Sequence, residues 1–148
     1  YGDHRDLHSF PTRRSSDLTN IYKRGEYYYL FASIGTCCNG ATSTYQTVVG
    51  RSKNVLGPYL DKTGRDMLYD YCEIIMSGNE TWAGPRHNSI LIQDDVGTDW
   101  IIYHGYKKKE AENGRYVLMD KLIWSNDGWP SVKSNAPSIL EVAPYFQK

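Results

Sequence analysis

The chain has 148 residues with 17 basic and 17 acidic side chains, so its formal charge is zero. A neutral chain has no bulk electrostatic pull toward nucleic acid or an anionic membrane, and no apolar run approaches the roughly 20 residues of a spanning helix. Aromatic residues reach 14%, with 13 Tyr and 4 Trp; flat rings suit pleated sheet and also the apolar face of a sugar, with strand packing accounting for most of them.

The first 18 residues, YGDHRDLHSFPTRRSSDL, have no hydrophobic period and no apolar run, so they do not read as a secretory signal. Three Arg and three Asp leave them balanced, which excludes a basic nucleic-acid arm. They resemble the conceptual translation of a common short-read sequencing adapter, without a mismatch. Residues 1–18 are therefore read as a non-native, adapter-derived segment outside the fold, and residues 19–148 as one domain-sized portion of a longer native chain.

From there the pattern is short strands broken by Gly, Asn, Asp and Pro. Residues 22–27 (YKRGEY) read as a hairpin turn and residues 27–32 (YYYLFA) as a strand. Residues 35–43 are a small-residue loop, and residues 45–52 (YQTVVGRS) alternate as a second strand. A turn at LGPY and a polar stretch lead to a strand at residues 72–76. Residues 78–86 read as a loop and residues 88–93 as a strand. After an acidic turn at residues 94–99, residues 100–106 (WIIYHGY) and 116–124 (YVLMDKLIW) pair across a charged loop. Residues 129–132 form a short last strand. No stretch of 11 or more residues carries a helical period, so the fold class is all-β. An internal echo, with YYYLFASIG and YQTVVGRS set against WIIYHGY and YVLMDKLIW, fits two consecutive propeller blades.

Three cysteines, two of them adjacent (Cys37 and Cys38, with Cys72 apart), make neither a disulfide framework nor a zinc pattern. The pair reads as two buried thiols, the common state of free cysteine, or as a strained vicinal bridge. Glu26, Glu73, Asp94, Asp95 and Asp99 sit in turns or at strand ends and read as solvated surface. His104 reads as structural.

Taken together, TNIYKRGEYYYLFASIGTCC, STYQTVVGRSKNVLGPY, GPRHNSI, DWIIYHGY and DGWP resemble the C-terminal part of glycoside hydrolase family 43, of the arabinanase and arabinofuranosidase type. The resemblance implies a fragment of about two blades of a five-bladed β-propeller. It implies inverting hydrolysis of α-L-arabinofuranosidic bonds in arabinan or a related plant polysaccharide. In that chemistry one carboxylate deprotonates water and another protonates the leaving oxygen. The base Asp and a second Asp fall in blades outside this chain. The general-acid Glu falls just before Thr19, at the position that Asp17 occupies, and Asp17 is one methylene short and marks the place only. Thr36, Cys37 and Cys38 match a loop beside the sugar. His87 matches a histidine that helps hold an axial ion, usually calcium, and Arg86 stands where the family has Gly. Arg51 matches a recurring Arg that pairs with a carboxylate inside a blade. Secreted or periplasmic location follows from the same resemblance. The competing reading is a non-catalytic carbohydrate-binding β-module whose tyrosines and tryptophans form the sugar platform.

Overall fold

The computed structural model describes residues 19–36 and 38–147; residues 1–18, Asp17 among them, and Cys37 lie outside the described residues. The architecture is mostly β, with ten strands, four short 3-10 turns and no α-helix among the described residues.

The first sheet is an antiparallel meander of β1 (Asn20–Arg24), β2 (Tyr27–Ile34), β3 (Gln46–Ser52) and β4 (Glu73–Met76), in that order. Gly25, at φ 56°, is the first of the two residues turning β1 into β2, the position where a tight hairpin needs positive φ. Along β2 the side chains alternate, with Tyr29, Phe31 and Ser33 on one face and Leu30 and Ala32 on the other, and all five are buried. The second face is closed by the segment between β3 and β4. Met67 lies so tightly over Gly50 that a Cβ there would sit 2.3 Å from its sulfur.

The second meander is built on β7 (Asp99–Lys107). β8 (Arg115–Lys121) pairs along one side of it, while β5 (Trp82–Arg86) and β6 (Ile92–Gln93) share the other. Past Leu122, β8 runs on into β9 (Ile123–Trp124), which pairs with β10 (Pro130–Ser131). The echoed segments are thus the middle hairpins of the two meanders.

Two expectations shift here. Residues 78–86 are not all loop, because Trp82–Arg86 is a strand whose five residues are all buried. The strand expected over residues 88–93 shrinks to Ile92–Gln93. The reason is local. The ladder slips between Ala83 and Arg86, where Gly84 takes φ 58°, and His87 at φ 48° then turns the chain out of register.

The core lies between the two meanders. Tyr29, Phe31, Val49 and Met76 meet Ile101 and Tyr103, with Leu122 and Trp129 closing one side. Each such side chain contributes about 1.5–3 kcal/mol when fully buried.

Among the described residues four carboxylates are buried, and two of them, Asp94 and Asp99, correct the surface reading. Asp99 accepts from Tyr22 Oη (2.8 Å), Gln93 Nε2 (3.0 Å) and Trp124 Nε1 (2.7 Å), which ties β1 and β9 to the second meander. Asp94 accepts from Trp100 Nε1 (3.0 Å) and the Thr98 amide (2.8 Å). Asp120 accepts from Tyr103 Oη and the Ser138 amide. Asp61 accepts from the amides of Thr63 and Arg65 and from the Arg65 guanidinium. Burial is tolerated because every one of these charges meets several donors. For Asp94 and Asp61 burial works against ionisation, but the hydrogen bonds outweigh it and hold both carboxyls low, Asp61 at about 2.

Candidate functional site

The loops at the Ile34–Gln46 end of the first sheet bring the sequence-flagged residues together. Gly35, at φ 110°, starts the loop, and a Cβ there would lie 2.7 Å from the Thr44 carbonyl oxygen; only glycine allows that approach. Thr36 closes the loop through its amide to Thr44 Oγ1 (3.1 Å), and the two hydroxyls share a hydrogen bond at 2.7 Å. The loop then winds through the 3-10 turn Gly40–Thr42. Gly84 of β5 packs against it, with room for no Cβ, since one would sit 2.7 Å from Ser43 Cβ.

Cys38 projects from this loop at φ 68°. It is exposed and disulfide-bonded, not a buried thiol. Two guanidiniums converge on its sulfur, Arg115 Nη2 at 3.3 Å and Arg86 Nη2 at 3.7 Å. Arg86 is only 2% exposed, and its guanidinium lies 4.6 Å from the centre of the Tyr45 ring, a cation–π contact that helps a charge tolerate burial. Cys72 is elsewhere, a free thiol raised to about 11 by burial, with Glu73, Asp70 and Asp61 adding to the shift.

His87 follows Arg86 at the break in the ladder. Its amide donates to the fully buried Ser33 hydroxyl at 3.0 Å, which fixes the turn. Its ring meets His104 edge-on, with Nδ1 and Nε2 3.2 Å apart and one ring donating to the other. His104 is therefore part of the cluster. Burial pushes its imidazole down to about 4, and the nearby Arg86, His87 and Arg115 add to the shift. At neutral pH it is an uncharged hydrogen-bonding group and not a proton donor for leaving oxygens.

The chemistry of this end is donation and positioning. The Arg115 guanidinium and the Thr36 hydroxyl are exposed there and the His87 and His104 imidazoles are half-buried, whereas the Arg86 guanidinium is buried. The Tyr45 ring is buried and does not offer a sugar platform. Glu110, on the turn Lys108–Asn113 that packs on this loop, is held by Lys107 Nζ (2.6 Å) and Tyr116 Oη (2.9 Å). Those bonds lower its pKa, so it stays ionised. Among the described residues no three His, Cys, Asp or Glu side chains converge as a metal cluster. His87, beside two guanidiniums and with Nδ1 turned to His104, does not by itself fit calcium, which prefers oxygen ligands.

Of the residues the sequence singled out, the structure joins Thr36, Cys38 and His87 in one cluster; Asp17 and Cys37 lie outside the described residues. Arg115, Tyr45 and Ser33 were not singled out. Arg115 gives no signal in its exposed, charged surroundings, whereas an Arg closing the apolar stretch WAGPR could have marked Arg86 as buried. Arg51 is a correction. Among the described residues it pairs with no carboxylate; it stacks between the rings of Tyr27 and Trp129, 4.4 and 4.5 Å from their centres, and donates to the Asp127 carbonyl at 2.6 Å.

Residues 10–130 match the sequence model of the glycosyl hydrolases family 43, and the chain belongs to that family. An extracellular exo-α-(1→5)-L-arabinofuranosidase of Cellvibrio japonicus is 46% identical over 112 residues, 76% of this chain and 31% of the relative. An extracellular endo-α-(1→5)-L-arabinanase of Bacillus subtilis is 43% identical over 114 residues, 76% of this chain and 32% of the relative. The crystal structure of a Cellvibrio cellulosa α-L-arabinanase complexed with arabinohexaose superposes with a TM-score of 0.74 at 43% identity, covering 80% of this chain and 36% of that one. The chain spans about a third of the length of the curated relatives it matches.

Proposed function

We propose that the chain is part of an arabinan-degrading glycoside hydrolase that cleaves α-L-arabinofuranosidic bonds by inverting acid/base hydrolysis, and that its two meanders are blades of a five-bladed propeller. The observation that carries this is the coincidence of the family match with one cluster of loop residues, Thr36, Cys38, Arg86, His87 and His104, at a single end of both sheets. In this reading the cluster forms one wall of the sugar groove and orients the substrate through donors to its hydroxyls and ring oxygens.

The proton-transferring carboxylates come from outside the described residues. Among the described residues the buried Asp61, Asp94, Asp99 and Asp120 each accept from two or more donors, and Glu110 is held ionised. Asp61, Asp94 and Glu110 are lowered by their donors, the opposite of the raised acid that inverting chemistry requires. Asp17 marks only the place of the acid. A calcium ion on the propeller axis would need its oxygen ligands from beyond the described residues, with His87 as a neighbour, and no step is routed through it. Secretion follows from the relatives, which are named as extracellular. No helix among the described residues is long and apolar enough to cross a membrane.

The test is a chimera in which residues 19–147 replace the matching segment of the Cellvibrio japonicus relative. It releases reducing sugar from linear arabinan, while the 148-residue chain alone releases none. A chimera that folds yet cleaves no arabinan overturns the hydrolase reading. If the chain alone binds arabino-oligosaccharide while that chimera is inactive, the binding-module alternative replaces it.

A further inference from the structure

A second candidate site lies at the opposite end of the first sheet. β2 is eight residues long, so its Tyr27 end is roughly 23 Å from its Ile34 end at ~3.3 Å per residue. There the turn after β3 folds back and leaves a cleft of about 510 Å³, inside the roughly 300–1,000 Å³ range of small-molecule sites. Tyr27, Pro58 and Leu60 supply apolar walls, and Arg51, Lys53 and Lys62 supply three cations.

The charges in this cleft do not cancel. Asp61 is the one carboxylate among the lining residues, and its oxygens already face the Thr63 and Arg65 amides and the Arg65 guanidinium. Lys53 meets Glu26 at 3.5 Å, but both are largely exposed, so the pair is weak. The nearby Asp127 side chain is held by Ser125, with Lys62 close enough to lower its pKa further. Arg51 is immobilised between Tyr27 and Trp129, which removes much of the ordering cost of using it as a ligand. A planar guanidinium held in this way matches a carboxylate fork.

We propose that this cleft binds a carboxylate-bearing saccharide, a uronic acid unit of an acidic oligosaccharide, separately from the arabinan groove. Arg51 takes the carboxylate, Lys53 and Lys62 flank it, and Tyr27 with Pro58 covers the carbon face of the ring. The saccharide part of this inference rests on the proposed arabinan function; the anionic part rests on the cleft alone.

The experiment is amide-shift titration of the ¹⁵N-labelled 148-residue chain with trigalacturonate, with arabinotriose and with inorganic phosphate. Trigalacturonate is expected to give saturable shifts at Tyr27, Arg51, Lys53 and Lys62, with neither other probe doing so. The double variant Lys53→Gln, Lys62→Gln, changed only at exposed side chains, weakens the binding about fivefold to tenfold, as the loss of two exposed charge contacts predicts. Arg51→Lys, which keeps the charge and loses the fork, weakens it as well. No saturable shift at these residues overturns the proposal. So does an equal response to arabinotriose, saturation by phosphate alone, or affinity unchanged in the double variant. These readouts do not use hydrolysis, so an inactive chimera and a failed uronate titration are separate outcomes.

Discussion

At the Tyr27–Ser52 end of the first sheet, and along the Asp99 side of the second, carboxylates are buried and each is enclosed by donors. At the Ile34–Gln46 end a buried guanidinium, Arg86, and an exposed one, Arg115, meet a disulfide sulfur, Arg86 also lies on a tyrosine face, and a pair of imidazoles stands beside them. Both arrangements are ordered, but they order different things. Asp99, with Tyr22, Gln93 and Trp124 around it, joins strands from both meanders and has no bonding capacity to offer a ligand. Arg115, with one contact to Cys38 and one to Tyr106, sits exposed beside a loop held in place by Thr36 and Gly35. The contrast separates Asp99, closed off inside the fold, from Arg115, left open at its surface, even though both are charged.

The largest break in that comparison comes from Asp99→Ala. It leaves three buried or half-buried donors without their acceptor, and urea denaturation is expected to show a loss of about 3–5 kcal/mol. A loss under 1 kcal/mol contradicts its part in joining the two meanders. Next is Gly35→Ala at the loop end. A Cβ at 2.7 Å from a carbonyl oxygen, on a residue at φ 110°, costs about 2 kcal/mol in the same measurement. Displaced amide shifts at Thr36 and Thr44 show that the loop, and not the sheet, absorbs it.

His104→Gln, made in the chimera, sharpens the other side. It removes an imidazole contact to His87 while keeping a polar side chain. The value of kcat/KM on linear arabinan falls about tenfold, equivalent to about 1.4 kcal/mol, with the urea midpoint nearly unmoved. A change in stability without a change in kcat/KM would assign His104 to the fold.

The smallest effect is pH-dependent. The Asp61 carboxyl is held at about 2 in the folded chain, below its unfolded value near 4. Its contribution is complete above pH 4 and drains away as pH falls toward 2. In urea denaturation Asp61→Asn flattens the stability curve in that window and lowers stability at pH 7, where the carboxylate's contribution is complete, with the two chains converging as pH falls toward 2.

YYYLFA, YQTVVGRS, WIIYHGY and YVLMDKLIW made the two middle hairpins legible because each is rich in aromatic and β-branched residues between turn signals, although β2 and β3 are buried on both faces and not at a period of two. WAGPR was misread because Gly and Pro mark loops locally, whereas here burial against β7 imposes a strand despite them. Asp94 and Asp99 were misread for a different reason. Their charge says surface, and the donors that make burial tolerable, among them Tyr22 and Trp124, are far away in sequence. At the loop end Thr36, Cys38 and His87 were legible only through the family's motifs. Arg115 joins them through the β7–β8 register, where it pairs with Tyr106, a relation no local pattern displays.

The most direct test of the division is amide-shift mapping of the 148-residue chain with arabinohexaose. The account predicts shifts concentrated at Thr36, Cys38, His87 and Arg115, with Tyr27 and Lys62 unmoved. Shifts confined to the Tyr27 end, or none at the loop end under saturating ligand, would contradict it.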